Sequence, residues 1–571
     1  MGIRRLLALP RLSDAGFAVL AAVLWLLFYN QRFWVQTVAA MGSGAAPWLF
    51  YAALALLLLF LHALLLLLMP GRNAMRVCAS LMFIIAALCA YFTDAFGTAF
   101  DREMIRNVVE TDHAEAADLL SIGLFARLLL MGVVPAVLLW FVPLEPQPWR
   151  RALQQRMTFL GAGALASIVM VLCTSASFAV FLREHKPLRS LLSPGAAIVS
   201  SIGYLRSASL EAVPRVDPGG QPWRVAPAGP TANQASTSSR SAPLLVVVVV
   251  GETTRAANFG LNGYPWPTTP ELAARDDLVY YPDTQSCGTA TAVSVPCMFS
   301  HLGREHFSHT ENQRYLNLLD MLQAAGVHVQ WIDNNSGCKG VCERVASVTP
   351  CPPEQCRDEV LAQQLAQQLP DIRQDSLIVL HQNGSHGPAY FQRYPQSAEY
   401  FRPACHSSRL DLCSSEEVVN AYDNTVRYTD SQLAALIAQL QAASGLDTAL
   451  LYVSDHGESL GESGVYLHGM PYRFAPLVQK QVPMLLWMSS GYLARSHMDL
   501  GCLRQRTVPA SASQDNLFHT VMGLLGVRNG VYAEGLDLTR GCSAGYAPLI
   551  AGAGQSPGPA HSQRRQQRQA M

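Results

Sequence analysis

The chain has 571 residues, half of them hydrophobic, and its 41 basic and 41 acidic side chains cancel. That length is too great for one compact core, and the apolar content indicates that at least one unit lies in a membrane. The balanced charge offers no basic surface of the kind that binds nucleic acid, so we exclude that class of partner.

The first third of the chain carries apolar runs close to the twenty residues that cross a hydrocarbon core. We predict a five-span helical membrane domain over residues 1–205, with spans at 15–29, 48–69, 76–98, 123–143 and 157–181. Basic residues mark three of its flanking segments, namely Arg4, Arg5 and Arg11, then Arg72 and Arg76, then Arg150, Arg151 and Arg156. By the positive-inside rule these segments are cytoplasmic, which puts the amino terminus in the cytoplasm and residues after 181 outside it.

The segment FDREMIRNVVETDHAEAADLL, between the third and fourth spans, mixes charges with apolar residues at helical spacing. It predicts an amphipathic helix, either lying on the bilayer surface or contacting lipid headgroups. Residues 206–242 are rich in Pro, Gly, Ser and Thr and predict a linker, and residues 549–571 predict a polar tail.

Residues 243–548 alternate short apolar runs with helix-like stretches, the runs being LLVVVVV, HVQWI, SLIVL, ALLYV and VPMLLWM. Continuous apolar runs suit strands buried on both faces, so we predict an α/β domain with a mainly parallel central sheet. In such folds ligands collect at the carboxyl ends of the strands.

Polar side chains follow three of these runs. Glu252 comes after LLVVVVV, His381 ends SLIVL, and Asp455 with His456 follows ALLYV. Each alone is typical of a strand-end capping residue, but carboxylate and imidazole are also the groups that bind zinc in catalytic sites. Three such strand ends in one domain predict a metal site.

The segment SCGTATAVSVPCMFS joins hydroxyl groups to the start of an apolar, helix-like stretch. A helix start offers backbone N–H groups to a phosphate, and a metal makes a hydroxyl easier to deprotonate. Thr289 and Thr291 are therefore both candidate nucleophiles. Without its surroundings, the segment favours a disulfide-pinned turn with a capping threonine over a nucleophile.

Ten of the thirteen cysteines come after residue 286, in closely spaced pairs. The pairs Cys287/Cys297, Cys338/Cys342, Cys351/Cys356 and Cys405/Cys413 predict short-loop disulfides and hence an oxidising compartment. Spacing does not fix the connectivity, and a zinc ribbon formed by the second and third pairs stays an alternative.

Five segments together resemble the lipid A phosphoethanolamine transferases, including the mobile colistin-resistance type, of the alkaline phosphatase-like (sulfatase-like) superfamily. They are VVVGETTRAANFGLNGY, SCGTATAVSVPCMFS, DNNSGCKGVC, HQNGSHGPAY and SDHGESLGESGVYLHGMP, and the resemblance extends over nearly the whole chain. It implies a catalytic Zn²⁺ bound by Glu252, Thr291, Asp455 and His456, with Thr291 as the nucleophile.

The resemblance implies further roles as well. His386 and His468 match residues that bind the substrate phosphoryl group or a second zinc, and Lys339 and His381 match second-tier contacts. Asn107, Thr111 and Glu115 fall where the family contacts its lipid donor. The four cysteine pairs match the family's disulfides, and a Cys502/Cys542 pair follows from the remaining count.

The implied enzyme moves phosphoethanolamine from phosphatidylethanolamine to a lipid A phosphate through a phosphothreonine-type intermediate, which lowers affinity for cationic peptides such as polymyxins. We expect a monomer in the bacterial inner membrane, with its catalytic domain in the periplasm and membrane lipid as a further partner. The alternatives are transfer to a lipopolysaccharide core sugar, a phosphoglycerol transferase of the lipoteichoic acid synthase type, and a membrane sensor without catalysis. A sulfatase would need Cys or Ser in a C/S-x-P-x-R context, which the nucleophile segment lacks.

Overall fold

The computed structural model describes residues 11–42, 45–111, 116–117, 119–208, 214–224, 242–351, 356–507 and 512–543. Some predictions lie wholly or partly outside them, namely Arg4 and Arg5, Glu115 and its neighbours in the amphipathic segment, residues 209–213 and 225–241 of the linker predicted over 206–242, and the tail from 549 onward. Within the predicted linker, Trp223–Arg224 forms a two-stranded sheet with Val527–Arg528 of the following domain.

The amino-terminal region is helical. Its helices are α1 (Asp14–Phe28), α2 (Gln31–Met41), α3 (Ala45–Leu67), α4 (Arg72–Phe96), α5 (Arg102–Glu110), α6 (Ile122–Phe141), α7 (Trp149–Cys173), α8 (Ser175–Glu184) and α9 (Gly195–Ala208). Four of them, α3, α4, α6 and α7, are long and apolar enough to span a membrane, and α1 with α2 forms a fifth span if this pair, bent by 67°, is one unit. The described helices therefore confirm a membrane domain of four or five spans.

The last predicted span is displaced along the chain. The helix begins at Trp149 and ends at Cys173, where residues 157–181 were expected. The apolar run does not mark the helix start because the first two turns, WRRALQQR, are helical but polar. Arginine stems of this kind lie along apolar surface while their guanidinium groups stay in a polar layer.

Helix α6 contains a π-helical turn at Leu128–Val133. Pro135 follows this turn and has no backbone N–H, so it cannot donate to the carbonyl of Met131 four residues earlier. The hydroxyl of Tyr29, between α1 and α2, donates to that carbonyl instead. The irregularity in α6 thus has a partner on a neighbouring span.

A buried ion cluster ties together one end of the membrane helices. Arg72 Nε lies 3.0 Å from one oxygen of Asp14, and Arg156 Nη2 lies 2.9 Å from the other. Arg156 also donates to the carbonyls of Leu67 and Met69, at 3.1 and 2.8 Å, just where α3 ends. Both arginines belong to the segments that the sequence predicts to be cytoplasmic.

The second region is built on a seven-stranded mixed sheet of order β3-β10-β7-β2-β6-β4-β5. Its strands are β2 (Leu244–Gly251), β3 (Leu278–Gln285), β4 (His328–Asp333), β5 (Ala346–Val348), β6 (Ser376–His381), β7 (Asp447–Ser454) and β10 (Gln481–Met488), and β1 (Trp223–Arg224) with β11 (Val527–Arg528) and β8 (Ser459–Leu460) with β9 (Tyr466–Leu467) form small pairs. The five strands from β7 to β5 are parallel, as predicted, whereas β10 runs antiparallel to both of its neighbours, β7 and β3. The run VPMLLWM forms β10, which turns back because no long crossover helix separates it from β7.

Apolar β-branched residues explain the central strand. All eight residues of β2, LLVVVVVG, are buried, which is expected for a parallel strand covered on both faces. The covering helices are α10 (Pro270–Ala273), α11 (Thr291–Met298), α12 (Gly303–His306), α13 (His309–Asn312), α14 (Leu318–Ala324), α15 (Glu359–Gln368), α16 (Ser415–Ala442), α17 (Leu477–Lys480), α18 (Ser490–Ser496), α19 (Leu500–Arg506) and α20 (Asp515–Leu524). The carboxyl ends of β2, β4, β6 and β7 consequently meet at one edge.

The structure pairs ten cysteines of the second region as Cys287–Cys297, Cys338–Cys342, Cys351–Cys356, Cys405–Cys413 and Cys502–Cys542. The zinc-ribbon alternative is therefore wrong, because the four cysteines that it needs are bonded in pairs. The three cysteines of the membrane helices are free.

Helix α5, the predicted amphipathic segment, lies between the two regions. It packs against α11, and His309 Nε2 of the second region is 3.1 Å from the carboxylate of Glu103. Met104 lies so close to Gly469 that a Cβ on this glycine would stand 2.7 Å from Met104 Cε. The membrane domain thus contributes a wall beside α11.

Candidate active site

A cluster of acidic and imidazole groups lies at the ends of β2 and β7. These strands are parallel and pair Gly251 with Ser454, so the residues that follow them are neighbours. The ligand atoms of Glu252, Asp455 and His456 lie within 4.8 Å of one another, and all three residues are buried. His456 Nε2 is 3.3 Å from Glu252 and 3.2 Å from Asp455.

Thr291 joins this cluster, and Thr289 does not. Thr291 Oγ1 lies 3.1 and 3.2 Å from the two carboxylate oxygens of Glu252 and 3.3 Å from His456 Nε2. The hydroxyl of Thr289 instead donates to the carbonyl of Met470 at 2.6 Å. Because Thr291 is the first residue of α11, its hydroxyl stands at a helix start.

The hydrogen bonds of the cluster leave room for a cation. His456 Nδ1 lies 3.0 Å from the carbonyl of Gly457, an arrangement that fixes a proton on Nδ1 and points Nε2 at the carboxylates. Asp455 Oδ2 is buried without a hydrogen-bond donor among the described residues. An unpartnered buried carboxylate oxygen is costly, and oxygen and imidazole donors in this number suit Zn²⁺.

The pKa values of Asp455 and His456 also indicate a site that suits a cation. Burial, aided by the charge of Glu252, raises the pKa of Asp455 to about 6. Burial opposes protonation of His456, but the charge of Asp455 and the hydrogen bond that the imidazole donates to Glu252 outweigh it and raise the pKa of His456 to about 10. A proton on His456 therefore offsets only part of the charge of the two carboxylates, which leaves a cation favoured at this point.

His386 and His468 line the site beside His456. The ring centroid of His468 is 4.3 Å from that of His456 and 5.3 Å from that of His386. His468 Nδ1 is 3.2 Å from the carboxylate of Glu458, a fully buried residue that the sequence did not single out. This carboxylate orients the imidazole, as acidic groups beside histidine commonly do.

Comparison with known proteins matches both regions. The pattern described as phosphoethanolamine transferase EptA/EptB covers residues 55–208, and the Sulfatase pattern covers residues 245–527. Phosphoethanolamine transferase EptA of Escherichia coli K12 is 37% identical over 554 residues, which is 95% of this chain and 99% of that protein. The chain belongs to the phosphoethanolamine transferase family.

Other relatives agree with this assignment. Phosphatidylethanolamine transferase Mcr-1 of Escherichia coli is 39% identical over 432 residues, covering 73% of this chain and 79% of its own length. The integral membrane lipooligosaccharide phosphoethanolamine transferase A of Neisseria meningitidis superposes with a TM-score of 0.87 at 32% identity, over 94% of this chain and all of that one. The expected family and fold, a membrane domain joined to a sulfatase-like domain, are thereby confirmed, and the chain is an enzyme.

His381 lies behind the cluster of Glu252, Asp455 and His456 in this transferase. It is fully buried, and its Nδ1 is 3.1 Å from Asp333 Oδ2. Between His381 and the cluster stands Asn335, whose amide nitrogen is 3.3 Å from His381 Nε2 and donates to Glu252 at 2.7 Å. The sequence analysis missed Asn335 as a site residue, although its place after β4 was a signal.

Lys339, Asn107 and Thr111 meet at the carboxyl end of α5. Lys339 Nζ donates to the carbonyl of Glu110 at 3.1 Å and to that of Ser336 at 2.9 Å. The hydroxyl of Thr111 donates to the carbonyl of Asn107 at 2.6 Å. An ammonium group at this helix end suits the negative end of the helix dipole. The contacts predicted for the lipid donor and for Lys339 thus belong to one surface.

Proposed function

We propose that this enzyme transfers phosphoethanolamine from phosphatidylethanolamine to a phosphate of lipid A through a covalent phosphothreonine on Thr291. The observation that carries the proposal is the position of Thr291 Oγ1, at the start of α11 and within 3.3 Å of both Glu252 and His456. The similarity to phosphoethanolamine transferases over nearly the full length supports the group that is transferred.

The residues that would hold the metal are Glu252, Thr291, Asp455 and His456. When bound, Zn²⁺ would supply Lewis acidity that lowers the pKa of the threonine hydroxyl. The residues fit it, since Asp455 Oδ2 accepts no hydrogen bond from the described residues and lies 3.2 Å from His456 Nε2, so both ligand atoms face the same point.

In the first step Thr291 Oγ1 forms a bond to the donor phosphorus while the phosphorus–oxygen bond to diacylglycerol breaks. Glu252, 3.1 Å from this hydroxyl, accepts its proton. We assign the protonation of the departing diacylglycerol oxygen to His468, whose imidazole is oriented by Glu458. In the second step a lipid A phosphate gives its proton to His468 and its oxygen attacks the same phosphorus, while the bond to Thr291 Oγ1 breaks and this oxygen regains its proton from Glu252.

We assign the donor lipid to the surface formed by α5 and Lys339. The described residues Asn107 and Thr111 lie there, and α5 packs against α11, which begins with Thr291. A headgroup approaching from the bilayer would meet the ammonium of Lys339 and the imidazoles of His386 and His468. Charged groups of this kind stabilise the oxygens of a phosphoryl group in transfer.

The topology that we propose places the second region in the periplasm and the chain in the bacterial inner membrane. Its five disulfides suit an oxidising compartment, and the arginines around Asp14 suit the cytoplasmic side. Adding ethanolamine would reduce the negative charge of lipid A and weaken its binding to polymyxins. We expect a monomer, because one chain provides every residue of the site.

The test uses the full chain in proteoliposomes with lipid A and labelled phosphatidylethanolamine. Thr291→Ala should lose transfer by at least about 10³-fold, and mass spectrometry should find a phosphoethanolamine adduct on Thr291 of the wild type. Thr289→Val is the matched control and should still form the adduct, since its hydroxyl lies outside the cluster. Near-normal turnover of the alanine variant would contradict the covalent route.

A further inference from the structure

Thr253, directly after Glu252, has a backbone conformation that its residue type rarely adopts. Its φ is 59°, in the left-handed region, and it is fully buried. A β-branched residue there is strained, and such strain persists only where the surroundings enforce it. Thr254 beside it is equally buried but is not among the residues with positive φ.

The left-handed turn allows Thr253 to bond to both carboxylates of the cluster. Its hydroxyl donates to Glu252 Oε1 at 2.7 Å, and its backbone N–H donates to Asp455 Oδ1 at 3.0 Å. Its carbonyl accepts from the hydroxyl of Tyr422 at 2.7 Å, which fixes the peptide from the side of α16.

These bonds determine which carboxylate oxygen stays available. Asp455 Oδ1 receives the N–H groups of Thr253 and His456, at 3.0 and 2.7 Å, so Oδ2 is the oxygen that faces the cluster. Glu252 is held from two sides, since Thr253 donates to Oε1 and Asn335 to Oε2. The two carboxylates would otherwise repel each other and turn apart.

We propose that Thr253 is a positioning residue that ties the carboxylates of Glu252 and Asp455 into one preformed ligand set. The hydroxyl is the essential part, because the backbone N–H would remain in any variant that keeps the turn. The inference rests on the proposed function, in that these carboxylates are taken to bind Zn²⁺. Hydrogen-bonding partners of metal ligands usually change metal affinity about 10–100-fold when they are removed.

Two substitutions separate the hydroxyl from the shape of the side chain. Thr253→Val keeps the volume and the branched Cβ, hence the same backbone strain, but removes the donor. Thr253→Ser keeps the donor and removes the methyl group. Thr254→Val is the matched control, since the Thr254 hydroxyl lies 3.4 Å from both the Glu252 carbonyl and Ser385 Oγ and bonds to no ligand carboxylate among the described residues.

The experiment measures the affinity of the metal-free, detergent-purified full chain for Zn²⁺ alone, by competition with a chromophoric chelator. Thr253→Val should bind Zn²⁺ about 10–100-fold more weakly than the wild type. Thr253→Ser should bind more tightly than the valine variant, and Thr254→Val should match the wild type. Equal affinity of wild type and Thr253→Val, or equal weakening by Thr254→Val, would overturn the inference.

A second variant keeps the test open if Thr253→Val does not fold. Tyr422→Phe removes the hydrogen bond to the Thr253 carbonyl without touching a ligand, and it should also weaken Zn²⁺ binding, although less. Unchanged affinity in a folded Tyr422→Phe protein would then reject the inference. Failure of the proposed function is distinct, because it would appear as a wild type that binds no Zn²⁺ or forms no adduct on Thr291.

Discussion

Two buried carboxylate centres, one in each region, differ in how their charge is balanced. In the membrane domain, both oxygens of Asp14 receive guanidinium groups, from Arg72 at 3.0 Å and Arg156 at 2.9 Å. In the catalytic domain, Glu252 and Asp455 share one imidazole, and Asp455 Oδ2 has no hydrogen-bond donor among the described residues. A centre whose carboxylate charge is fully offset by guanidinium groups holds helices together. A centre whose carboxylate charge is only partly offset can accommodate a cation.

The chemistry of the partners explains the contrast. An arginine guanidinium stays charged and offers several fixed donors, so it occupies the carboxylate permanently. An imidazole can give up its proton and become a metal ligand. The partner type, more than the presence of buried acids, separates a structural centre from a reactive one.

The largest expected effect comes from a substitution in the cluster of Glu252, Asp455 and His456. Asp455→Asn removes an oxygen of the proposed metal site with almost no change of shape, so it should lose bound Zn²⁺ and lower transfer by at least about 10³-fold. Metal analysis of the purified chain and transfer from labelled phosphatidylethanolamine measure the two effects.

The matched control is Asp411→Asn, an equivalent change at a side chain that is 57% exposed and paired with Arg409. It should keep its zinc. If Asp455→Asn retained both metal and turnover, the assignment of this cluster as the metal site would be wrong.

An intermediate effect, on stability, is expected at the Asp14 centre of the membrane domain. Asp14→Asn leaves Arg156, whose side chain is 13% exposed, without its counter-charge and should destabilise the membrane domain by roughly 3–5 kcal/mol. Unfolding of the full chain in mild detergent measures this loss, while the zinc content of the folded fraction should stay unchanged.

A double substitution sharpens the interpretation. Asp14→Leu combined with Arg156→Met should recover much of that stability, because an apolar pair of similar volume often replaces a buried ion pair without loss. If the double variant were as unstable as Asp14→Asn, the ion pair of Asp14 and Arg156 could not be what accounts for the loss of stability.

The smallest expected effect on stability concerns the imidazole of His519, which is buried and has no charged partner among the described residues to keep it protonated. Burial, with a contribution from His301, lowers the pKa of His519 to about 4. Between pH 6.5 and 4 the unfolded chain therefore binds more protons at this position, and the free energy of unfolding should fall as the pH falls, by at most about 3 kcal/mol.

Comparison with His519→Asn isolates this contribution from the other titrating groups. The asparagine oxygen can still accept from the N–H of Ala533, which His519 Nδ1 does at 3.1 Å. The difference in melting temperature between the two proteins should change through this pH range and level off above pH 7. A constant difference would contradict the assigned pKa.

The sequence predicts the features that depend on local patterns. Apolar runs predict the spans and the strands, and the polar residues that follow LLVVVVV and ALLYV predict the cluster, because parallel strands bring their carboxyl ends together. Local pattern is not enough for the choice between Thr289 and Thr291. That choice depends on which hydroxyl the first turn of α11 directs toward Glu252.

Other features escaped the sequence because they depend on neighbours far along the chain. Asn335, Glu458 and Thr253 look like ordinary polar residues after strands, and their roles appear only when three strand ends lie side by side. The antiparallel direction of β10 is also hidden, since its apolar pattern matches that of a parallel strand. The disulfide pairs were visible in the spacing, and the structure supplied their connectivity.

Gly469 gives the contact between the two regions a further meaning. Its φ of 84° is a local reason for glycine, and the nearness of Met104 Cε is a second reason that comes from the other domain. The glycine at position 469 of the catalytic domain is therefore explained in part by helix α5, against which this domain packs. If membrane domains are exchanged between relatives, the two domains should pack correctly only where the residues at positions 104 and 469 are exchanged together.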